Sequence, residues 1–151
     1  MKVIIRDPVM GIDPGVSGGV SVLSGEGAVI YVAAFRPDMT EDQLFDAITP
    51  AAAMAKICYF EKVGYMPTDG GQGAFTFGAI NGLLRGMLIA LKVKRVYVAP
   101  MMWQAALGCL TGGNKNVSKR RAQDLFPAVK MTHSVADSLL IAYYGLRRQP
   151  Q

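Results

Sequence analysis

Short apolar runs, separated by clusters of turn-forming residues, divide this chain into alternating elements. Residues 8–12 predict a short buried strand and residues 18–23 a second, joined by a turn at Pro14 and Gly15. "AVIYVAAF" (28–35), which follows Gly25 and Gly27, predicts a third strand antiparallel to the second. "TEDQLFDAITPAAAM" opens with an N-cap candidate, Thr40, and two early acids, so a helix starts there. Pro50 is expected to end or kink it. "KICYFE" (56–61) carries the β-favouring Ile57, Tyr59 and Phe60 and predicts a fourth strand. Residues 73–92 predict a long helix, and 94–99 a fifth strand stopped by Pro100. Short helices are expected at 101–107 and 117–125, the second ended by Pro127, and a last helix from about Ser134 to Arg148. Three early strands followed by alternating helices and strands predict an α/β fold. Its mixed five-stranded sheet has antiparallel first strands and is flanked by helices.

The long helix stands apart. Its apolar run approaches the length of a membrane span, but Asn81 and Arg85 interrupt it, and no membrane partner is expected. Gly78, Gly82 and Gly86 recur at four-residue spacing on one face. In a helix each costs roughly 1 kcal/mol against alanine. Close packing on the parent sheet and close approach of a second subunit's helix are both compatible with the stripe.

At 151 residues and 51% apolar composition the chain suits one globular domain spanning 1–151. Residues 1–8 are expected to be disordered or additional to the core fold. The start, "MKVIIRDP", leads to no long apolar segment of a secretory signal. Cys58 and Cys109 lack metal-type spacing and read as reduced core thiols. That implies a cytoplasmic setting, in a bacterial or phage-infected cell, with an organelle left open as an alternative. The net charge of +5 is uneven: residues 92–151 carry +8 and residues 1–91 carry −3. A basic C-terminal third suits a polyanionic partner, or is simply a solvated face.

Three acids stand out by context. Asp13 ends the first strand, Glu61 ends the fourth, and Asp137 lies near the start of the last helix amid apolar residues. Taken singly, each has an ordinary reading. Asp13 is a turn former, Glu61 pairs with Lys62 at the surface, and Asp137 favours its helix N-terminus. Taken together, they can converge at one edge of the sheet. Within about 5 Å each pair repels by roughly 3 kcal/mol at an effective dielectric of 20, so convergence needs a cation or a proton. Hard divalent ions take such oxygen ligands, which points to metal-assisted phosphodiester hydrolysis. His133, the one histidine, precedes Asp137 by four residues and shares its helix face if the helix has begun. It is a ligand or acid–base candidate. Ser134 competes for the same place and is a candidate N-cap.

"GIDPGVSGGVSVL", then a strand closing on "FEKVGYMP", a glycine-rich helix and "THSVADSLLIAYYG", resembles the RuvC-type Holliday-junction resolvases, most closely their short phage and organellar branch. The likeness runs over nearly the whole chain from Met10 onward. It implies an RNase H-like fold and a homodimer that nicks four-way DNA junctions in pairs, with Mg²⁺ as cofactor and Mn²⁺ as substitute. By the same resemblance Asp13, Glu61 and Asp137 are catalytic metal ligands, and the dimer forms on the Gly78/Gly82/Gly86 helix. A fourth family ligand falls three or four residues before the last acid. Here those positions are Ser134 and His133, and His133 has the ligating chemistry.

"NKNVSKRRAQ" (114–123) places Lys115, Lys119, Arg120 and Arg121 at a helix start, where they suit DNA phosphates. Tyr65, Phe75 and Phe77 follow the strand bearing Glu61 and are candidates to contact the opened centre of a junction. Phe77 and Trp103 read more simply as core residues. Three other readings remain: a non-catalytic junction-binding protein, an RNase H-like nuclease acting on other branched DNA or RNA–DNA hybrids, and an actin-like or sugar-kinase-type ATPase. The last shares the "GIDPG" turn but needs two such domains and far more chain.

Overall fold

The computed structural model describes residues 4–64, 66–68 and 70–150. Its sheet runs β3-β2-β1-β4-β5, with strands β1 (Val9–Asp13), β2 (Gly19–Leu23), β3 (Val29–Ala34), β4 (Ile57–Glu61) and β5 (Lys94–Val98). The first three strands pair antiparallel, while β4 pairs parallel to both β1 and β5. The helices are α1 (Glu41–Met54), α2 (Gly71–Ala90), α3 (Pro100–Ala106), α4 (Lys115–Leu125) and α5 (His133–Arg148).

Alternation along the strands separates two cores. Met10, Ile12, Cys58 and Phe60 face α1 and α2, packing with Leu44, Ile48, Leu84 and Leu88. Val9 and Tyr59 face the opposite way, against Trp103 of α3, Ala122 of α4 and Leu139 and Ile141 of α5. By the same two-residue period, Asp13 and Glu61 fall on the α5 side of the sheet. Cys58 and Cys109 are buried free thiols.

The layer over Asp13 and Glu61 is unusually close to the sheet. A methyl group added at Gly11 of β1 would lie 2.2 Å from the Ser138 carbonyl oxygen and 2.4 Å from the Ala142 nitrogen. One at Gly19 of β2 would lie 2.5 Å from the Ser134 carbonyl oxygen. Only a residue without Cβ admits the α5 backbone there. A buried hydrogen bond between the Ser21 and Ser138 hydroxyls adds a polar link between β2 and α5.

Several local expectations need correction. Thr40 does cap α1, in a capping box with Gln43, but Pro50 does not end the helix, which continues through it to Met54. Ala51 and Ala52, just beyond it, are buried, and their packing outweighs the lost backbone donor. Thr132, not Ser134, occupies the N-cap of α5, so His133 is its first residue. Asn114 caps α4 by accepting from the Asn116 N–H, so that helix starts at Lys115. Near the N-terminus, Asp7 is tied to the other end of the chain by reciprocal hydrogen bonds with the Gln149 side chain.

The glycine stripe of α2 is not packed on the chain's own sheet. A Cβ at Gly78, Gly82 or Gly86 would meet no described atom within 4 Å. Only Leu84, Met87 and Leu88 of this helix are buried. With a mean hydropathy of 1.3, α2 is long and apolar enough to cross a membrane by length and composition. Arg85 reaches back across β5, where Nε donates to the Tyr97 hydroxyl at 3.1 Å and the guanidinium lies over the ring.

Gly11→Ala forces a methyl group into α5 backbone, and overpacking of this kind costs about 1–3 kcal/mol or more. A melting temperature lowered by several degrees, read by circular dichroism, is the expected result.

Candidate active site

Parallel strands β1 and β4 are in register from Val9–Ile57 to Ile12–Phe60. One further step brings Asp13 beside Glu61 at their shared C-terminal edge, where open α/β sheets place their ligands. Asp13 also pairs with Gly19, and Gly19 lies under Ser134 in the first turn of α5. The close seat of α5 therefore sets its N-terminal end over the same edge. Asp137, one turn further on, completes a trio drawn from three distant segments.

Each carboxylate has a different environment. Asp13 is half-buried, and its Oδ1 accepts from the Gly15 N–H at 3.2 Å. This local turn accounts for the Pro-Gly sequence that follows it. Burial, and then the Asp137 charge, raise its pKa to about 6, against the opposing pull of the Gly15 N–H and Lys115. Glu61 is only 8% exposed, and its Oε2 accepts from the Trp103 indole N–H at 2.7 Å. Burial and the Asp13 charge push its pKa up to about 7, with Asp137 adding to the rise and Trp103 and Lys115 opposing it. Burial also raises Asp137, offset in part by Ser118, Lys115 and His133. Among the described residues, Asp137 Oδ1 is the buried side-chain oxygen without a hydrogen-bond partner.

These acids share one electrostatic neighbourhood. They do not form a tight cage: among the described residues no three His, Cys, Asp or Glu side chains converge closely enough to hold a metal ion. The chemistry of the set nevertheless suits a hard divalent cation. The donors are carboxylate oxygens, two of their pKa values are raised by burial and then by a neighbouring negative charge, and one buried oxygen has no partner. His133 is exposed and acts on Asp137 through its charge.

The surroundings are basic and partly apolar. Lys115, the first residue of α4, opposes the rise at all three acids. Arg120 is exposed and Lys119 half-buried. Arg121 is partly committed elsewhere, since its Nε donates to the Leu107 carbonyl at 2.9 Å. A cleft of about 950 Å³ opens beyond the end of β4, lined by Val16, Lys62, Val63, Phe77 and Pro100 among others but by none of the three acids. Phe77 is half-buried against it, whereas Phe75 is 79% exposed. Tyr65 lies outside the described residues.

One participant escaped the sequence reading. Trp103 is core, as expected, but it also touches the site through Glu61. The available signal was chemical: a buried indole N–H needs an acceptor.

No protein-family model and no curated protein matches the sequence. Solved structures do. Thermus thermophilus RuvC in complex with a Holliday junction substrate superposes with a TM-score of 0.66 at 18% identity, covering 92% of each chain. A second Thermus thermophilus RuvC structure gives 0.61 at 19% identity, over 91% of this chain and 92% of that one. The yeast mitochondrial Holliday junction resolvase Ydc2 gives 0.64 at 13% identity, over 97% and 82% respectively. At such low identity the likeness is one of architecture, and it extends across nearly the whole polypeptide: this chain has the RuvC-type, RNase H-like fold.

Proposed function

We propose that this protein is a structure-selective endodeoxyribonuclease that resolves four-way DNA junctions, acting as a homodimer through paired, metal-dependent phosphodiester hydrolysis. The observation that carries this reading is the shared electrostatic neighbourhood of Asp13, Glu61 and Asp137 near the C-terminal edge of β1 and β4. The Thermus RuvC of the same fold has been captured with a Holliday junction substrate, which supports junction DNA as the partner here.

Asp13, Glu61 and Asp137 are the residues that would hold Mg²⁺, or Mn²⁺ in its place, with His133 as the fourth candidate. An ion held by these residues would supply activation of water and stabilisation of the leaving oxygen. The chain's own groups supply the rest. Lys115 brings positive charge to the acids at the start of α4, where a scissile phosphate is best received. Lys119 and Arg120 extend that charge along the helix, and Arg121 joins them while bracing the α3–α4 connection. Phe75 projects into solvent close to the cleft, where it can stack on bases unpaired at the junction centre. Tyr65 is retained as a second aromatic candidate from its position in the sequence alone.

The homodimer rests on α2. Three glycines on a largely uncovered apolar helix lose helix propensity with no compensating contact among the described residues. A second copy of α2 laid along the stripe would supply that compensation.

The lack of a converged ligand cage among the described residues favours one rival, a non-catalytic junction-binding protein. Asp13→Asn separates the two. The expected outcome is loss of Mg²⁺-dependent nicking of an end-labelled four-way junction by at least about 100-fold, with junction affinity in chelator unchanged. A wild-type chain that binds junctions and never nicks them, with Mg²⁺ or Mn²⁺, leaves only the rival. Nicking of RNA–DNA hybrids in preference to junctions would redirect the reading to another RNase H-like activity.

The raised acids also predict a pH dependence. Asp13 and Glu61 titrate higher in the folded chain than in the unfolded one, so the folded state binds more protons between roughly pH 4 and pH 7. Stability falls as pH rises through that window. In chelator the melting temperature should drop by about 5 °C from pH 5 to pH 8, and Asp13→Asn should shallow the fall. For the dimer, Gly82→Leu is expected to shift sedimentation from dimer to monomer without lowering helix content.

A further inference from the structure

Trp103 is fully buried in the layer formed by α3, α4 and α5. Its one polar side-chain atom is the indole nitrogen, a donor that cannot accept. A buried indole N–H left without an acceptor forfeits its desolvation cost, and here the acceptor is a candidate catalytic carboxylate 42 residues away in sequence, Glu61 Oε2 at 2.7 Å. The distance lies in the range of charge-assisted hydrogen bonds.

The chemical character of the donor matters more than its strength. A lysine or arginine at this place would orient Glu61 but also neutralise it, and would compete with any cation for the same oxygens. An indole carries no charge at any working pH, so it fixes one oxygen and leaves the anion intact. The Gly15 N–H does the same for Asp13 Oδ1. Two of the three acids are thus held by neutral N–H donors, one from the backbone and one from a side chain set in the core. Pro100, at the first position of α3 directly after β5, helps to fix the place of that helix.

We propose that Trp103 is a positioning residue for Glu61: its indole N–H orients the carboxylate toward a divalent cation without cancelling the charge that binds it. This rests on the metal-dependent nuclease reading above.

Trp103 is the chain's single tryptophan, so the full-length protein gives one indole ¹H–¹⁵N resonance to follow. In metal-free buffer that resonance should shift on Glu61→Gln. In the wild type it should move on Mg²⁺ titration, and in Glu61→Gln the Mg²⁺ response should be lost. Trp103→Phe keeps most of the ring volume and removes the donor. It should raise the Mg²⁺ concentration for half-maximal nicking about 10–100-fold, as loss of an outer partner does at metal sites. Saturating Mg²⁺ should recover the rate, and junction affinity in chelator should stay as in the wild type. A folded Trp103→Phe with wild-type Mg²⁺ dependence overturns the proposal. If that variant does not fold, the wild-type spectrum decides: an indole resonance indifferent to both Glu61→Gln and Mg²⁺, in a chain that nicks junctions, overturns it equally. A resonance that answers to Glu61→Gln in a wild-type chain that nicks nothing sinks the nuclease reading and leaves Trp103 holding Glu61.

Discussion

The seat of α5 on β1 and β2 is the constraint on which the rest of this structure depends. Backbone meets backbone at Gly11 and Gly19, where the Ser138 and Ser134 carbonyls occupy the space a side chain would need. That approach does more than fill a core. It fixes the height and position of α5 over the edge where β1 and β4 end, so that Asp137 comes within electrostatic reach of two strand-borne acids. Residues that are 48 and 76 positions apart in sequence meet because two glycines leave room for a helix.

What this arrangement does to stability runs opposite to ordinary packing. Burial of carboxylates near one another is unfavourable, and Lys115 offsets only part of it. The fold tolerates the strain because the flanking layers are dense: Val9, Met10, Ile12, Phe60, Leu139, Leu140 and Ile141 are all at most 1% exposed. A protein that keeps mutually repelling acids at the rim of such a core gives up stability at that rim. The neutral donors around them, Gly15 and Trp103, restrain the carboxylates without removing that charge.

Much of this was legible in the order of the residues. "GIDPG" marks a strand end turning sharply, and alternation along "VMGID" and "ICYFE" assigns both acids to one face. Thr40, followed by two acids, announces the start of α1. The failures have physical causes. Pro50 was read by local propensity, and the burial of Ala51 and Ala52, a tertiary effect, overrode it. Ser134 is a candidate cap by residue type, but Thr132 takes the position: both residue types suit it, and only the path of the chain separates them. The α2 glycines were ambiguous because spacing reports which side of a helix is small, not what lies opposite it. Trp103 was assigned to the core and no further, since a sequence does not reveal which acceptor a buried donor finds.

The parity of β1 carries a consequence for how this molecule can vary. From Val9 to Asp13 each side chain's direction follows from counting, so one inserted or deleted residue inside the strand would invert every later position and turn the acid toward α1 and α2. The loops between strands and helices are free of that arithmetic. Length polymorphism is therefore compatible with this architecture at its connections, while inside its central strands only substitution is.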